Sequence, residues 1–256
     1  MSARSFVVSA FVSLSVAAHS LAQQPVQCML GEQVLKPSAA TPGSRFGSSA
    51  ALSGDVAVVG APFEGTFAPL SGNAYVYRRS GSQWTEEARL SAPTPDQLDF
   101  FGLAVAVDGD TIAVGPSGDD TSGPGSGAIF VYVHDGSGWT LQETLLSPGP
   151  VGGGLGETVA LDGDTLVGGA PFDNSIAMFG GAAYVWVRSG GTWSLQDVLL
   201  APDTGLADLF GRDVDVHGDL IAVGVHQDDD KGANSGSVWI YERLGVQWKR
   251  RQKLSG

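Results

Sequence analysis

Residues 101–114 read FGLAVAVDGDTIAV and carry the strongest local signal in the chain. Two runs of alternating apolar residues flank Asp108-Gly109, and β-branched residues within them favour strands. Asp-Gly between two such runs predicts a tight hairpin, because glycine adopts the positive φ that a primed turn requires. We therefore predict a protein built of short antiparallel strands.

This hairpin belongs to a repeat with a period of 54 to 55 residues. Tryptophans recur at spacings of 55, 54 and 55, and an FG-like pair, a glycine, an aspartate and a leucine keep the same register. Such a period is typical of architectures whose units bury their apolar faces only against neighbouring units. We interpret the repeated aromatic residues as core anchors: Trp84, Trp139, Trp193, Trp248, Phe46, Phe101 and Phe210.

Each repeat reads as four short strands joined by glycine-containing turns. The third strand alternates aromatic and aliphatic residues, as in residues 183–186, and the fourth runs from the repeated tryptophan to the repeated leucine. Repeated four-stranded antiparallel units of this kind predict the blades of an all-β propeller. The predicted repeats span about 46–100, 101–154, 155–209 and 210–256.

Two repeats carry sequence motifs that resemble those of a known family. Phe46-Gly47 followed by Gly60-Ala61-Pro62 is similar to the FG-GAP repeat of integrin α-chain propellers and their bacterial relatives. Leu155-Gly156 with Gly169-Ala170-Pro171 is the second good match, and the other two copies are degenerate. The resemblance covers residues 46–254 and implies an extracellular recognition propeller without chemistry of its own.

The same resemblance bears on calcium. FG-GAP repeats that bind calcium carry a long acidic loop between the FG and GAP strands, whereas this chain has only a two-residue turn such as Asp108-Gly109. That turn cannot supply the roughly six to eight oxygens that calcium takes, so we expect no cofactor. Aspartates that follow these turns, such as Asp110, are expected to satisfy turn amides. Acidic residues in the following loops are only weak candidate ligands: Asp119, Asp120, Asp228, Asp229 and Asp230.

The N-terminus has the pattern of a secretory signal peptide over residues 1–22. Arg4 precedes an apolar run, and small residues predict cleavage after Ala22. The run is too short and too rich in serine to span a bilayer, so we expect export without membrane insertion. The formal net charge of −13 argues against a nucleic-acid partner, because phosphates would be repelled.

Residues 23–45 are predicted to hold one strand of an incomplete blade. Leu35 precedes Phe46 by 11 residues, a spacing that recurs at the next repeat, so residues 30–36 match the end of a fourth strand. Residues 210–256 already contain their own fourth strand, and integrin-type propellers have seven blades. We therefore expect an open or incomplete ring whose exposed edges favour self-association, or a ring that is closed by another copy of the chain.

These patterns predict a secreted or cell-surface recognition or adhesion protein that is not an enzyme. Its partner, an extracellular protein or glycan, is unknown. The histidines share no spacing, and no Gly-x-Ser-x-Gly turn occurs. Two alternatives stay open: a propeller-based extracellular enzyme, and a fragment of a longer seven-bladed FG-GAP protein.

Overall fold

The computed structural model describes residues 33–39 and 41–256. These residues form sixteen strands in four antiparallel sheets of four strands, and no helix occurs among them. Strand order in every sheet follows chain order, and one sheet lies within each predicted repeat. The all-β class and the four-stranded blades are therefore confirmed.

The strands alternate in direction within each blade. Blade 1 comprises β1 (Ala50–Ser53), β2 (Val56–Ala61), β3 (Asn73–Ser80) and β4 (Gln83–Leu90). Blade 2 comprises β5 (Ala104–Asp108), β6 (Thr111–Gly115), β7 (Ala128–His134) and β8 (Trp139–Leu146). Blade 3 comprises β9 (Thr158–Asp162), β10 (Thr165–Ala170), β11 (Ala182–Ser189) and β12 (Thr192–Leu199). Blade 4 comprises β13 (Phe210–His217), β14 (Leu220–Val225), β15 (Ser237–Leu244) and β16 (Gln247–Ser255).

Successive blades pack face to face, with their first strands side by side in the order β1, β5, β9 and β13. Glycine makes this packing close. A Cβ added to Gly60 of the GAP strand would lie 1.9 Å from the Gly102 carbonyl oxygen of the next FG pair. The same contact recurs at the next two interfaces, between Gly115 and Gly156 and between Gly169 and Gly211. The GAP motif of one blade and the FG motif of the next blade therefore form the two sides of one blade–blade contact.

Both ends of the arc lack this contact. A Cβ on Gly47 would meet no atom within 4 Å, and one on Gly224 would come no closer than 3.4 Å, to Asp213 of its own blade. Phe46 is only partly buried, whereas its equivalents in the other three repeats are fully buried. The described residues thus form an open arc, as expected, with a free face on blade 1 and another on blade 4.

The repeated tryptophans lie at the beginning of the fourth strands, and those of blades 2, 3 and 4 contact the fourth strand of the preceding blade. The Trp193 indole N–H donates to Gln142 at 2.9 Å, and the Trp248 indole N–H donates to Gln196 at 2.9 Å. Both of these tryptophans are buried, whereas Trp84 and Trp139 are half-buried.

Three of the four aspartates that follow the turns bind arginine side chains instead of the turn amides we expected: Asp55, Asp164 and Asp219. At the fourth, Asp110, the position of that arginine is taken by His134. Asp55 pairs with Arg79 at 2.7 Å and Asp164 pairs with Arg188 at 2.7 Å, each arginine coming from the third strand of the same blade. Turn amides are satisfied across the interface, where Gly163 N–H donates to the preceding blade. Sequence reasoning missed this because the partner of each aspartate lies 24 residues away.

The segment before blade 1 occupies the side of that blade where a preceding blade would lie. The Gln33 side chain accepts from the Trp84 N–H at 2.7 Å and donates to the Trp84 carbonyl at 2.6 Å. At an internal interface, Glu143 accepts from the Trp193 N–H in the same way, at 2.9 Å. Residues 33–37 have no regular secondary structure, and the rest of the predicted N-terminal strand lies outside the described residues, as does the signal peptide with its cleavage after Ala22. Both stay predictions.

Candidate functional site

The longer loops of all four blades leave the sheets at the same end. In a four-stranded meander, the loop after the second strand and the loop after the fourth strand lie on one side, and short turns lie on the other. We call the first end the loop face. Its loops are residues 62–72, 91–103, 116–127, 147–157, 171–181, 200–209 and 226–236.

The loops are joined across blades by backbone hydrogen bonds. Leu98 N–H donates to the Pro69 carbonyl at 3.1 Å, so the loop between blades 1 and 2 is tied to the second-strand loop of blade 1. Ala207 N–H donates to the Met178 carbonyl at 2.9 Å and makes the same link between blades 3 and 4. The loop face is therefore a connected surface and not a set of independent loops.

Bulky residues in these loops adopt left-handed backbone conformations. Phe100 has a φ of 57° and Leu209 a φ of 59°, a region that costs a non-glycine residue free energy. The equivalent residue in blade 3 is Gly154, with a φ of 66°. Because this conformation recurs at equivalent positions, it belongs to the repeat and does not mark a single reactive position.

Large apolar side chains are exposed on the loop face: Phe67, Leu98, Val151, Ile176, Met178, Phe179 and Leu206. Their densest group comes from blade 3, where Ile176 is 53% and Met178 58% exposed. Leu206 of the adjoining loop is 66% exposed. We call Ile176, Met178, Phe179 and Leu206 the apolar loop group. Exposed apolar groups of this kind commonly mark interaction surfaces.

One buried carboxylate in each blade lies beneath the loop face, and we call these four side chains the buried carboxylate column. Its members are Glu64, Asp119, Asp173 and Asp228, all at most 4% exposed. Asp173 accepts from the Tyr184 hydroxyl at 2.5 Å and from the Ser175 N–H at 2.7 Å. Burial raises the pKa of the Tyr184 hydroxyl, and its hydrogen bond to Asp173 acts in the same direction. These carboxylates satisfy loop donors, which gives them a structural role.

The predicted weak cation ligands have partners within the protein. Asp120 accepts from the Gly125 N–H at 2.6 Å, and Asp229 accepts from the Asn234 N–H at 2.6 Å. Asp119 and Asp228 belong to the buried column, and Asp119 accepts from the Thr121 N–H at 2.9 Å. The structure therefore distributes these side chains over the loops of two blades.

Asp228 and Asp230 do converge, but around a lysine. The Lys253 ammonium lies 2.6 Å from Asp228, 2.5 Å from Asp230 and 2.8 Å from Asp203. Burial opposes the charge on Lys253, but its hydrogen bonds to the three carboxylates outweigh this effect and raise its pKa. Among residues 33–39 and 41–256, no group of three or more His, Cys, Asp or Glu is arranged to hold a metal ion.

The carboxyl of Asp99 on the loop face has a strongly raised pKa. Burial raises the pKa of its carboxyl from 3.8 to about 6, and the nearby Asp119 and Asp120 carboxylates add to this shift. Asp99 also accepts from the Asp96 N–H at 2.6 Å, which opposes it. The contacts of Asp99 are thus those of a loop-supporting side chain.

Sequence reasoning did not identify the apolar loop group. The available signal was the run Ile176-Ala177-Met178-Phe179, which is unusually apolar for a loop. It also did not identify the buried carboxylate column as structural, although Glu64, Asp119, Asp173 and Asp228 keep the register of the repeat.

Comparison with known proteins agrees with this architecture. Residues 31–77, 84–132 and 193–241 match the FG-GAP repeat family. These segments make up more than half of the chain, so the chain belongs to the FG-GAP repeat family, and its described part is an open arc of four FG-GAP blades.

The chain is also similar in sequence to integrin alpha-7. The chain is 33% identical over 149 residues to integrin alpha-7 of Rattus norvegicus and, equally, of Homo sapiens. The match covers 51% of this chain but only 12% of the relative, so the chain spans a small part of the length of these integrins. Separately, no helix long and apolar enough to cross a membrane occurs in the part of the chain that the structure describes.

Proposed function

We propose that this protein is a secreted or cell-surface recognition protein that binds an extracellular protein through its loop face and catalyses no reaction. The observation that carries the proposal is the apolar loop group, which presents Ile176, Met178, Phe179 and Leu206 on hydrogen-bonded loops. Membership of the FG-GAP repeat family and similarity to integrin alpha-7 support a role in extracellular recognition or adhesion. Self-association of the open arc is part of the same proposal.

A protein partner accounts for the loop face better than a glycan does. Clustered apolar side chains act as binding anchors when a partner excludes water from them, and glycans offer little apolar surface for this purpose. The loops are tied to one another by backbone hydrogen bonds, so little ordering free energy is lost on binding. The net charge of −13 favours a partner whose rim is basic.

The experiment compares two matched variants of the chain. In the first, Ile176 and Met178 are replaced by serine on the loop face. In the second, the control, Val246 is replaced by serine on the opposite end, where it is 75% exposed. Each protein is immobilised and exposed to the untreated extracellular fraction of its source cells and to the same fraction after enzymatic deglycosylation, and bound proteins are quantified.

We expect at least one extracellular protein to be bound by the parent and the Val246→Ser variant and lost with the Ile176→Ser/Met178→Ser variant. Binding should survive deglycosylation. Loss only after deglycosylation would identify a glycan ligand instead. Binding that is unchanged in the loop variant, or lost equally in both variants, would contradict recognition by the loop face. Thermal unfolding of each variant checks that the fold is intact.

A further inference from the structure

The free face of blade 4 is the side of its sheet that points away from blade 3. Its central strands β14 and β15 present Leu220, Ala222, Val238 and Ile240, which are exposed or half-buried. The equivalent residues of blade 1 are at most 4% exposed because blade 2 covers them: Val56, Val58, Ala74 and Val76. The free face thus has an apolar centre with no covering blade in the described residues.

The inner strand of this face differs from every internal interface. Asp215 stands at the register position that holds alanine in the other three blades, and Asp213 stands where they hold serine, alanine or threonine. At two of the three internal interfaces, a hydroxyl at the position of Asp213 donates to the carbonyl of the next FG glycine: Ser49 donates to Gly102 at 2.9 Å and Thr158 to Gly211 at 3.2 Å. A carboxylate cannot donate in this way, and burying the carboxylates of Asp213 and Asp215 without partners costs free energy. The free face is therefore unsuited to receive another FG-GAP blade.

The opposite end of the arc is also unsuited to a head-to-tail contact. Residues 33–38 already cover the outer part of blade 1, where Gln33 holds the Trp84 backbone and the Ser38 hydroxyl donates to Glu86 at 2.6 Å. The fourth strand of a second copy would have to displace this segment in order to stack on blade 1.

Charge is distributed across the free face from one edge to the other. Cross-strand pairing places Asp215 beside Ala222 and Ala222 beside Ile240, so the acidic strand β13 borders the apolar centre. On the far side, Lys249 of β16 pairs in register with Glu242, and Arg251 forms an ion pair with Glu242. The face therefore runs from acidic through apolar to basic.

Such a face is complementary to itself. A two-fold axis parallel to the strands places β13 of one copy opposite β16 of the other and the two apolar centres against each other. Resting on the self-association in the proposed function, we propose that two copies of this chain associate through the free face of blade 4 as a two-fold, sheet-on-sheet dimer. Asp215 of each copy then approaches Arg251 of the other, and this pairing disfavours the alternative in which acidic strands face each other.

The proposed geometry has a consequence for binding. Because the axis runs along the strands, the loop faces of both copies point in the same direction. A dimer can therefore engage a surface that carries two copies of a partner, and its apparent affinity rises without any new contact. Four strands spaced about 4.8 Å apart make a narrow face, so we expect a weak dimer at the low end of interface size.

The test is sedimentation velocity over a concentration series of residues 23–256, the chain expected after removal of the predicted signal peptide. The parent should shift from monomer to dimer as its concentration rises, and added salt should weaken the shift. Asp215→Arg and Arg251→Asp should each weaken association by about tenfold or more, and the double variant should restore it, because the charges are exchanged between copies. Leu52→Ser, on the free face of blade 1, should leave association unchanged.

Several outcomes would overturn the proposal. A parent that stays monomeric at all accessible concentrations would do so, as would a double variant that fails to recover association. Association that is lost with Leu52→Ser but kept with Asp215→Arg would show head-to-tail stacking instead. If Asp215→Arg does not fold, Ala222→Gln on the same rung replaces it and should also weaken the dimer.

Discussion

Gly60 and Gly102 lie in different repeats, yet they meet at the first blade interface. Neither position leaves room for a Cβ, since the nearest backbone oxygen would lie 1.9 Å from one at Gly60 and 2.4 Å from one at Gly102. The contact depends on close backbone approach and not on a side-chain interaction. It explains in steric terms why the two motifs of the repeat keep a constant register.

This contact predicts a position-dependent effect of one substitution. Gly60→Ala should destabilise the fold by about 1–3 kcal/mol or more, because the blades must move apart to admit the methyl group. Gly224→Ala is the matched control, since its Cβ would meet nothing closer than 3.4 Å, and we expect little change. Urea unfolding of both variants measures the difference. Equal losses would show that the close approach does not govern stability.

Asp99 predicts a pH dependence of stability. Its pKa is 3.8 ordinarily and about 6 in the fold, because burial disfavours the charged carboxylate. The folded state therefore binds the proton more tightly than the unfolded chain does, and this group lowers stability as the pH rises from about 4 to about 6. Asp99→Asn keeps an acceptor for the Asp96 N–H and should remove this decline. Melting temperatures of parent and variant across that range test it, and an unchanged slope in the variant would contradict the assignment.

Among the elements, the fourth strands join each blade to the one before it. Their tryptophans differ in burial, since Trp193 is 4% exposed and Trp139 is half-buried. Trp193→Ala should cost about 3–5 kcal/mol, and Trp139→Ala, which sequence alone marks as an equivalent anchor, should cost less. Trp193→Phe keeps an aromatic ring but loses the hydrogen bond to Gln142, so its cost should be about 1 kcal/mol. Chemical denaturation gives all three values, and equal costs for the two alanine variants would contradict this order.

The last strand, β16, predicts how the protein responds to calcium. Because Lys253 already neutralises Asp203, Asp228 and Asp230, calcium should shift the melting temperature of the parent little. Lys253→Ala leaves three carboxylates without a cation and should be less stable. The control is Arg250→Ala, whose side chain contacts none of these carboxylates in the structure. A large, saturable stabilisation of the parent by sub-millimolar calcium would contradict this interpretation.

At the scale of the whole molecule, stability is distributed along a one-dimensional stack. Among the described residues, the two interior blades have a neighbouring blade on each side, whereas blades 1 and 4 each have one. Strand β10 is buried throughout, but the equivalent strand β14 alternates between exposed and buried residues. Amide hydrogen exchange in monomeric protein should therefore be slower in β10 than in β14. Equal protection of the two strands would indicate that the free face of blade 4 is covered.

Much of this architecture could be predicted from the sequence because it depends on local chemistry repeated in register. The alternation around Asp108-Gly109 predicts a hairpin, and recurrence of that pattern with Trp84 and its equivalents predicts four blades. The open arc of the described residues could also be predicted, since these residues contain four repeats. The acidic loops were recognised, but their partners were not.

Only the tertiary structure decided which residues meet across blades and which faces remain free. Lys253 lies 50 residues from Asp203, and Gln33 lies 51 residues from Trp84, so neither contact has a local signature. Exposure of Ile176 and Met178 likewise depends on how loops of neighbouring blades are tied together. The sequence by itself determined the repeat, because strands and turns follow from residues close along the chain. The loop face and the self-complementary face of blade 4 were decided by stacking, because only stacking determines which apolar surface stays exposed.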